Sequence, residues 1–471
     1  MEDSIMKRLA LIFTALCVCL TISCNKEVAD SQGEVTTPEA TMQTITITAS
    51  MADTKTAYTV DPSDDTKLNF SWTTGDEISV KCTDGNFYTF TANSSGATTT
   101  FTGSIPSGYA LDSRAYFPAD ANHSATQFNI PKEKDLTAHP SADIPMVGIK
   151  GDGDSKAYTF THCCGAACLT IDNIPDGIVS VSISIVNASL KLSGLFTIKG
   201  DEGSHYWDPE AKDEGTNNTF IRKVVVSSNS AKVYLPYSCE PSYGNLWGSS
   251  TIGIIGYDSV GTPTTLLTGK TMGSLGAFTR AHVKPVAPLV LSRLGFINWN
   301  EVGIPSYGSV NERIVQWQAT SDPYYIYFRF KITASKIQWD DSEEGTYAKS
   351  YDKSYIYTGF NTDRDTGTGG SVSGGVTLAG CEARSLVYPF KGTTKGTIEY
   401  KTGDDPRSYI QCPIETSSGK VTTKGALDGS FAYIETAILR SKIGSPTSGT
   451  TIDIQHAMDY YPTETGSLTL Q

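Results

Sequence analysis

Beyond residue 43 the chain is a succession of short runs in which apolar and polar residues alternate, with Gly, Asn, Asp and Pro between them. Ile45, Ile47 and Ala49 share one face of such a run, and threonines take the other. A period of two is the signature of a strand half-buried in a sheet. After residue 23 no long segment places apolar residues at i, i+3, i+4 and i+7, so the chain is expected to be all-β, built as tandem antiparallel β-sandwiches. The runs divide into sandwiches over residues 44–175, 176–292 and 296–471, each large enough to bury a core.

The first residues follow another pattern. Lys7 and Arg8 precede an apolar run from Leu9 to Ile22 that only Thr14 and Thr21 interrupt. As a helix that run rises roughly 21 Å, short of the ~30 Å hydrocarbon core, so residues 1–23 read as a signal peptide. Ser23-Cys24 followed by Asn25-Lys26-Glu27 resembles the lipobox of bacterial lipoproteins. The resemblance implies that Cys24 is acylated and anchors the protein in the outer membrane, displayed at the cell surface. Residues 24–43 set Lys26 against Glu27, Asp30, Glu34 and Glu39 without an aromatic, the composition of a solvated tether that reaches up to roughly 60 Å.

The net charge of −13 and the absence of any basic run exclude a phosphate-backbone partner, so no nucleic acid is expected. Beyond Cys24 stand Cys82, Cys163, Cys164, Cys168, Cys239, Cys381 and Cys412, an odd and irregular set that argues against a disulfide framework and for small buried hydrophobes. Cys163, Cys164 and Cys168 cannot converge on one ion with His162 while the segment is extended, because neighbours on a strand point to opposite faces. No Gly-x-Ser-x-Gly, His-Glu-x-x-His or phosphate-cradling glycine loop is present, and the chain is not expected to be an enzyme.

Trp72, Gly75-Asp76-x-Ile78-x-Val80, Thr100-Phe101-x-Gly103, Tyr116-x-Pro118 and Phe160-Thr-His162, in that order, resemble the N-terminal domain of fimbrillin-like proteins. Later runs, among them Val181–Val186, Val233–Pro236 and Thr251–Ile255, extend the resemblance into that family's second domain, to about residue 292. It implies fimbrial subunits as partners. Shaft subunits of the family mature by cleavage after an N-proximal arginine, which frees a groove for a neighbour's strand. Here no arginine stands between Cys24 and Arg114, so a tip, an anchor or a free-standing surface protein is implied instead. Trp72, Ile78 and Val80 are read as core.

In the third region, Tyr324, Ile326, Phe328 and Phe330 alternate with Tyr325, Tyr327, Arg329 and Lys331. The first set is apolar enough for a core; the second is an aromatic and cationic strip that meets a ligand or forms a cross-strand ladder. Tyr355–Phe360 running into Asp363-x-Asp365 and a glycine-rich turn, then Gly380-Cys-Glu382, Leu386–Phe390, Ala432–Ile438 and Lys442-Ile-Gly444, resemble family-nine carbohydrate-binding modules and DOMON-type sandwiches over about 296–471. Sugars stack on flat rings, for which Trp317, Trp339, Tyr325, Tyr327 and Tyr388 are the candidates; Trp339 leads into the polar stretch Asp340–Gly345. Asp363 and Asp365 offer hard oxygens to Ca2+, or simply close an Asx-rich turn. The expectation is a lipid-anchored surface protein for adhesion or glycan binding, its partner a glycan or a surface protein. The alternative is a fimbrial tip or anchor whose C-terminal sandwich touches protein.

Overall fold

The computed structural model describes residues 41–51, 59–61, 64–69, 71–124, 127–138, 144–153, 155–200, 206–207, 218–239, 248–273, 275–276, 278, 281–303, 311–336, 356–370, 375–388, 395–401, 409–413, 415–416, 431–458 and 460–471. The expected signal peptide, Cys24 and most of the tether lie outside them, as does Trp339. The described residues 41–43 and 106–108 belong to a small unit of their own, in which Ser107 N–H donates to the Thr41 carbonyl at 2.7 Å. The other unit, Thr44–Ile105 with Tyr109–Gln471, carries both sandwiches and, apart from the ends of two strands, the barrel.

The chain is all-β, and among the described residues no α-helix occurs. In the N-terminal third the strands Met42–Met51, Ala157–His162, Met146–Lys150, Leu111–Phe117, Glu77–Cys82, Phe87–Ala92 and Thr98–Pro106 follow one another around a closed barrel. Closure leaves no open sheet edge. Trp72 is fully buried inside, its ring edge-on to Phe101, Phe117 and Phe160 at 4.9, 5.4 and 5.1 Å, an arrangement aromatic quadrupoles favour. The turn that follows is tied by Asp76, whose carboxylate accepts from Thr73 N–H at 2.7 Å, and by Gly75 at φ +91°. Gly148 lies across from Phe160 in the register, and a Cβ there would stand 2.6 Å from the ring.

The second body is a sandwich. One sheet sets Gly165–Asp172 between Ala231–Tyr237 and the parallel Val283–Pro285; the other runs Pro263–Thr271, Ser250–Asp258, Ile178–Asn187, Thr219–Val225, Glu133–Asp135. Leu169 and Ile171 meet Ile183, Ile185, Ile252 and Ile254 in its core. Two of its strands, Glu133–Asp135 and Gly165–Asp172, precede residue 176 in the chain. His162, Cys163, Cys164 and Cys168 are all buried, and burial pushes the Cys168 thiol above its ordinary pKa.

The third sandwich pairs a sheet of Ile314–Ser321, Tyr325–Thr333, Phe431–Leu439 and Glu415–Thr416 with one built on Tyr409–Pro413, Lys395–Lys401, Ala383–Tyr388, Ile356–Asn361 and Thr451–Met458. Trp317, Ile326, Phe328, Phe330, Ile434 and Ile438 cover Ile356, Phe360, Ile452 and Ile454.

The second and third bodies are joined at Asp322. Asn173, at φ +61°, points its amide at the Leu291 carbonyl (2.8 Å) and the Asp322 carboxylate (2.7 Å). The same carboxylate accepts from Tyr327 Oη and from the backbone N–H groups of Tyr324 and Tyr325. Arg293 N–H donates to Tyr327 Oη at 3.0 Å, and its guanidinium reaches the Ile174 carbonyl at 2.9 Å.

Candidate functional site

The first sheet of the third sandwich has one face in the core, so the other must be covered or wet. Its outer residues fall into cross-strand rows fixed by the register. Gln318, Arg329 and Glu435 form one row; Gln316, Lys331 and Tyr433 form the next. Further along the same face, Tyr325, Tyr327, Ala437 and Leu439 are roofed by Val290, Leu294, Ile297, Trp299 and Val302. The strap of residues 290–302 that leads from the second body to the third thus covers half of the sheet and stops.

Where it stops, a cleft of about 500 Å³ opens, lined by Trp299, Asn300, Gln316, Arg329, Lys331 and Tyr433 among others. Tyr433 is 46% exposed. The Arg329 guanidinium lies over the Tyr433 ring at 4.7 Å from the centroid and 3.6 Å from a Glu435 carboxylate oxygen. Lys331 Nζ sits 4.2 Å from the centre of the Phe431 ring and 5.9 Å from that of Tyr433. Gln318 spends its amide on the Trp299 and Val302 carbonyls (2.9 and 2.7 Å), which pins the strap to the sheet. Among the described residues the buried indole N–H of Trp299 has no partner, a donor left for water or a ligand hydroxyl. A flat ring, amides and cations around one concavity are the parts that hold a polar ring-shaped ligand.

The expected ring contacts are placed elsewhere. Trp317 is 1% exposed and faces the core, edge-on to His456 at 4.3 Å, so it offers no face to a sugar. Tyr325 and Tyr327 are buried beneath the strap, with Tyr325 Oη on the Val290 carbonyl at 3.3 Å and Tyr327 Oη on Asp322; they serve the junction. Tyr388 ends the strand Ala383–Tyr388, but its side chain is outside the described set, as is all of Trp339. The aromatic and cationic strip is therefore half ladder and half cleft. Tyr433 carries the exposed ring, and it could have been found as the aromatic on the polar phase of Tyr433-Ile-Glu435-Thr-Ala437-Ile438.

Asp363 and Asp365 close a turn. Asp363 accepts from Asp365 N–H and Asp365 from Gly367 N–H, both at 2.8 Å, while Thr368 Oγ1 lies 3.1 Å from Asp363 and 3.0 Å from Glu382. Burial raises the Glu382 pKa, with the nearby Asp363 charge adding to it. Ca2+ takes six to eight oxygens. Here the carboxylates accept from their own turn, and among the described residues no three His, Cys, Asp or Glu side chains are grouped to hold a metal ion.

A second cleft of similar volume lies at the junction beside Asp176, Arg293, Phe296 and Glu301. Its cation is already held by Asp176 at 3.6 Å and by the Ile174 carbonyl, so it has less to offer a ligand.

No protein-family model matches the chain, and no curated protein matches it significantly. Among solved structures it is similar to a candidate cell adhesion protein from Bacteroides uniformis, at 12% identity and a TM-score of 0.29, over 53% of this chain and 93% of that one. A candidate cell adhesion protein from Bacteroides ovatus gives 12% identity and a TM-score of 0.26 over 47% and 85%. The tip fimbrial protein Mfa3 from Porphyromonas gingivalis, truncated at its C-terminus, gives 10% and 0.19 over 48% and 81%.

Proposed function

We propose that this chain is a surface-displayed, lipid-anchored adhesion protein whose third sandwich holds a glycan in the cleft beside the strap, by binding and without chemistry. The observation that carries the reading is the half-covered outer face: an exposed Tyr433, the amide side chains of Asn300 and Gln316, and Trp299, whose indole N–H has no partner among the described residues, line one concavity of sugar size. The lipobox-like Cys24 and the acidic tether supply the anchoring part of the reading, and the barrel and second sandwich act as the support.

A glycan array probed with the intact chain tests it. The parent should mark a subset of glycans, and Tyr433→Ala should weaken that binding by about tenfold or more while the fold persists. An array that stays blank, with fimbrial subunits co-purifying instead, would transfer the third sandwich to a protein-contacting role in a fimbrial tip or anchor.

A further inference from the structure

We infer that the ligand of this cleft is an acidic glycan, one whose sugar carries a carboxylate or a sulfate; the inference rests on the reading of the cleft as a glycan site. The chain as a whole carries a net charge of −13. Against that background the lining of the cleft, among the described residues, holds Arg329 and Lys331 and no carboxylate. A local sign opposite to that of the molecule is a built feature, because it must hold against the surrounding field.

Only one of the two cations is paired by a carboxylate among the described residues. Among the described residues Lys331 makes no ion pair; its ammonium rests near the Phe431 and Tyr433 rings. Arg329 is ion-paired with Glu435 at 3.6 Å, which offsets part of its charge, but that distance is beyond the 2.7–2.9 Å of a charge-assisted hydrogen bond and the buried Nε has no hydrogen-bond partner among the described residues, so the fork keeps N–H donors for an incoming anion. The two cations stand on adjacent cross-strand rows, with Tyr433 in register with Lys331 and Glu435 in register with Arg329. A sugar ring laid beside Tyr433 therefore brings any anionic substituent within reach of both. Gln316, on the same row as Lys331, is placed to meet a hydroxyl. Glu435 acts as a brake: it screens Arg329 and disfavours anions that do not reach the fork.

The intact chain is titrated with oligogalacturonate, with its methyl ester, and with a keratan sulfate oligosaccharide; the second removes the charge from the first, and the third carries sulfate without any carboxylate. At least one acidic sugar should bind about tenfold tighter than the ester, and its affinity should fall as salt is added. Lys331→Gln, which keeps much of the stem against Phe431, should lower that affinity about tenfold, a larger loss than it causes for the methyl ester. Glu435→Gln should raise it severalfold. If the ester or other neutral sugars bind as well as the acids, the acidic ligand is overturned while the glycan reading stands. If no sugar binds, both fall, and binding of a polyglutamate peptide in that case would assign the cleft to an acidic protein segment.

Discussion

His456 is fully buried in the third sandwich, with its ring edge-on to Trp317, Phe328 and Phe330 at 4.3, 5.1 and 4.7 Å. Its Nδ1 shares a 2.8 Å hydrogen bond with Thr358 Oγ1. Burial disfavours the imidazolium and takes the pKa from 6.5 down to about 3. The native state keeps the ring neutral, whereas the unfolded chain takes up a proton below about pH 6.5, so stability is complete above that value and is lost as pH falls toward 3. The loss is at most about 1.4 kcal/mol per pH unit. Urea midpoints of the parent and His456→Gln, compared at about pH 7 and about pH 4.5, should show the acid sensitivity shrink in the variant; equal sensitivity would remove His456 from the account. The same cage explains why Trp317 was misread from sequence. The register slips between Ile314 and Gln316, and the extra residue turns both Ile314 and Trp317 to the core, which strict alternation does not foresee. Tyr433, by contrast, stood in plain alternation opposite Ile434 and Ile438.

At the scale of elements, the strand content and the sharing of faces were legible, because a period of two is local. What covers a face is not local. Tyr325 and Tyr327 occupy the predicted strip, but only the path of residues 290–302 decides that they are roofed while Arg329 and Lys331 are open. Likewise Gly165–Asp172 joins the second sandwich through pairing with Ala231–Tyr237, a partner distant in the chain. The strap is held at its upstream end by Asp322, which gathers donors from Asn173, Tyr324, Tyr325 and Tyr327. Asp322→Ala would leave buried donors without an acceptor, at a cost of about 3 kcal/mol or more. Calorimetry should then show the third sandwich melting earlier and apart from the second; a single unshifted transition would mean that the junction contributes little.

For the whole molecule, the proposed lipid anchor rests on the lipobox-like Cys24, and no helix among the described residues is long and apolar enough to cross a membrane. Growth with a palmitate analogue should label the parent chain and leave Cys24→Ser unmarked and released into the soluble fraction. A parent that takes up no label would end the anchoring part of the proposal. Closure of the first sheet into a barrel was beyond reach of the pattern, since Met42–Met51 and Ala157–His162, paired in parallel, lie far apart in the chain.

The strap does two things at once: it is the tie between the two C-terminal bodies and one jaw of the cleft. Traction on the chain and affinity at the cleft are therefore not independent variables. On the proposed function, prising the bodies apart would loosen the jaw and let the cargo go, while a seated cargo would clamp the jaw and stiffen the tie.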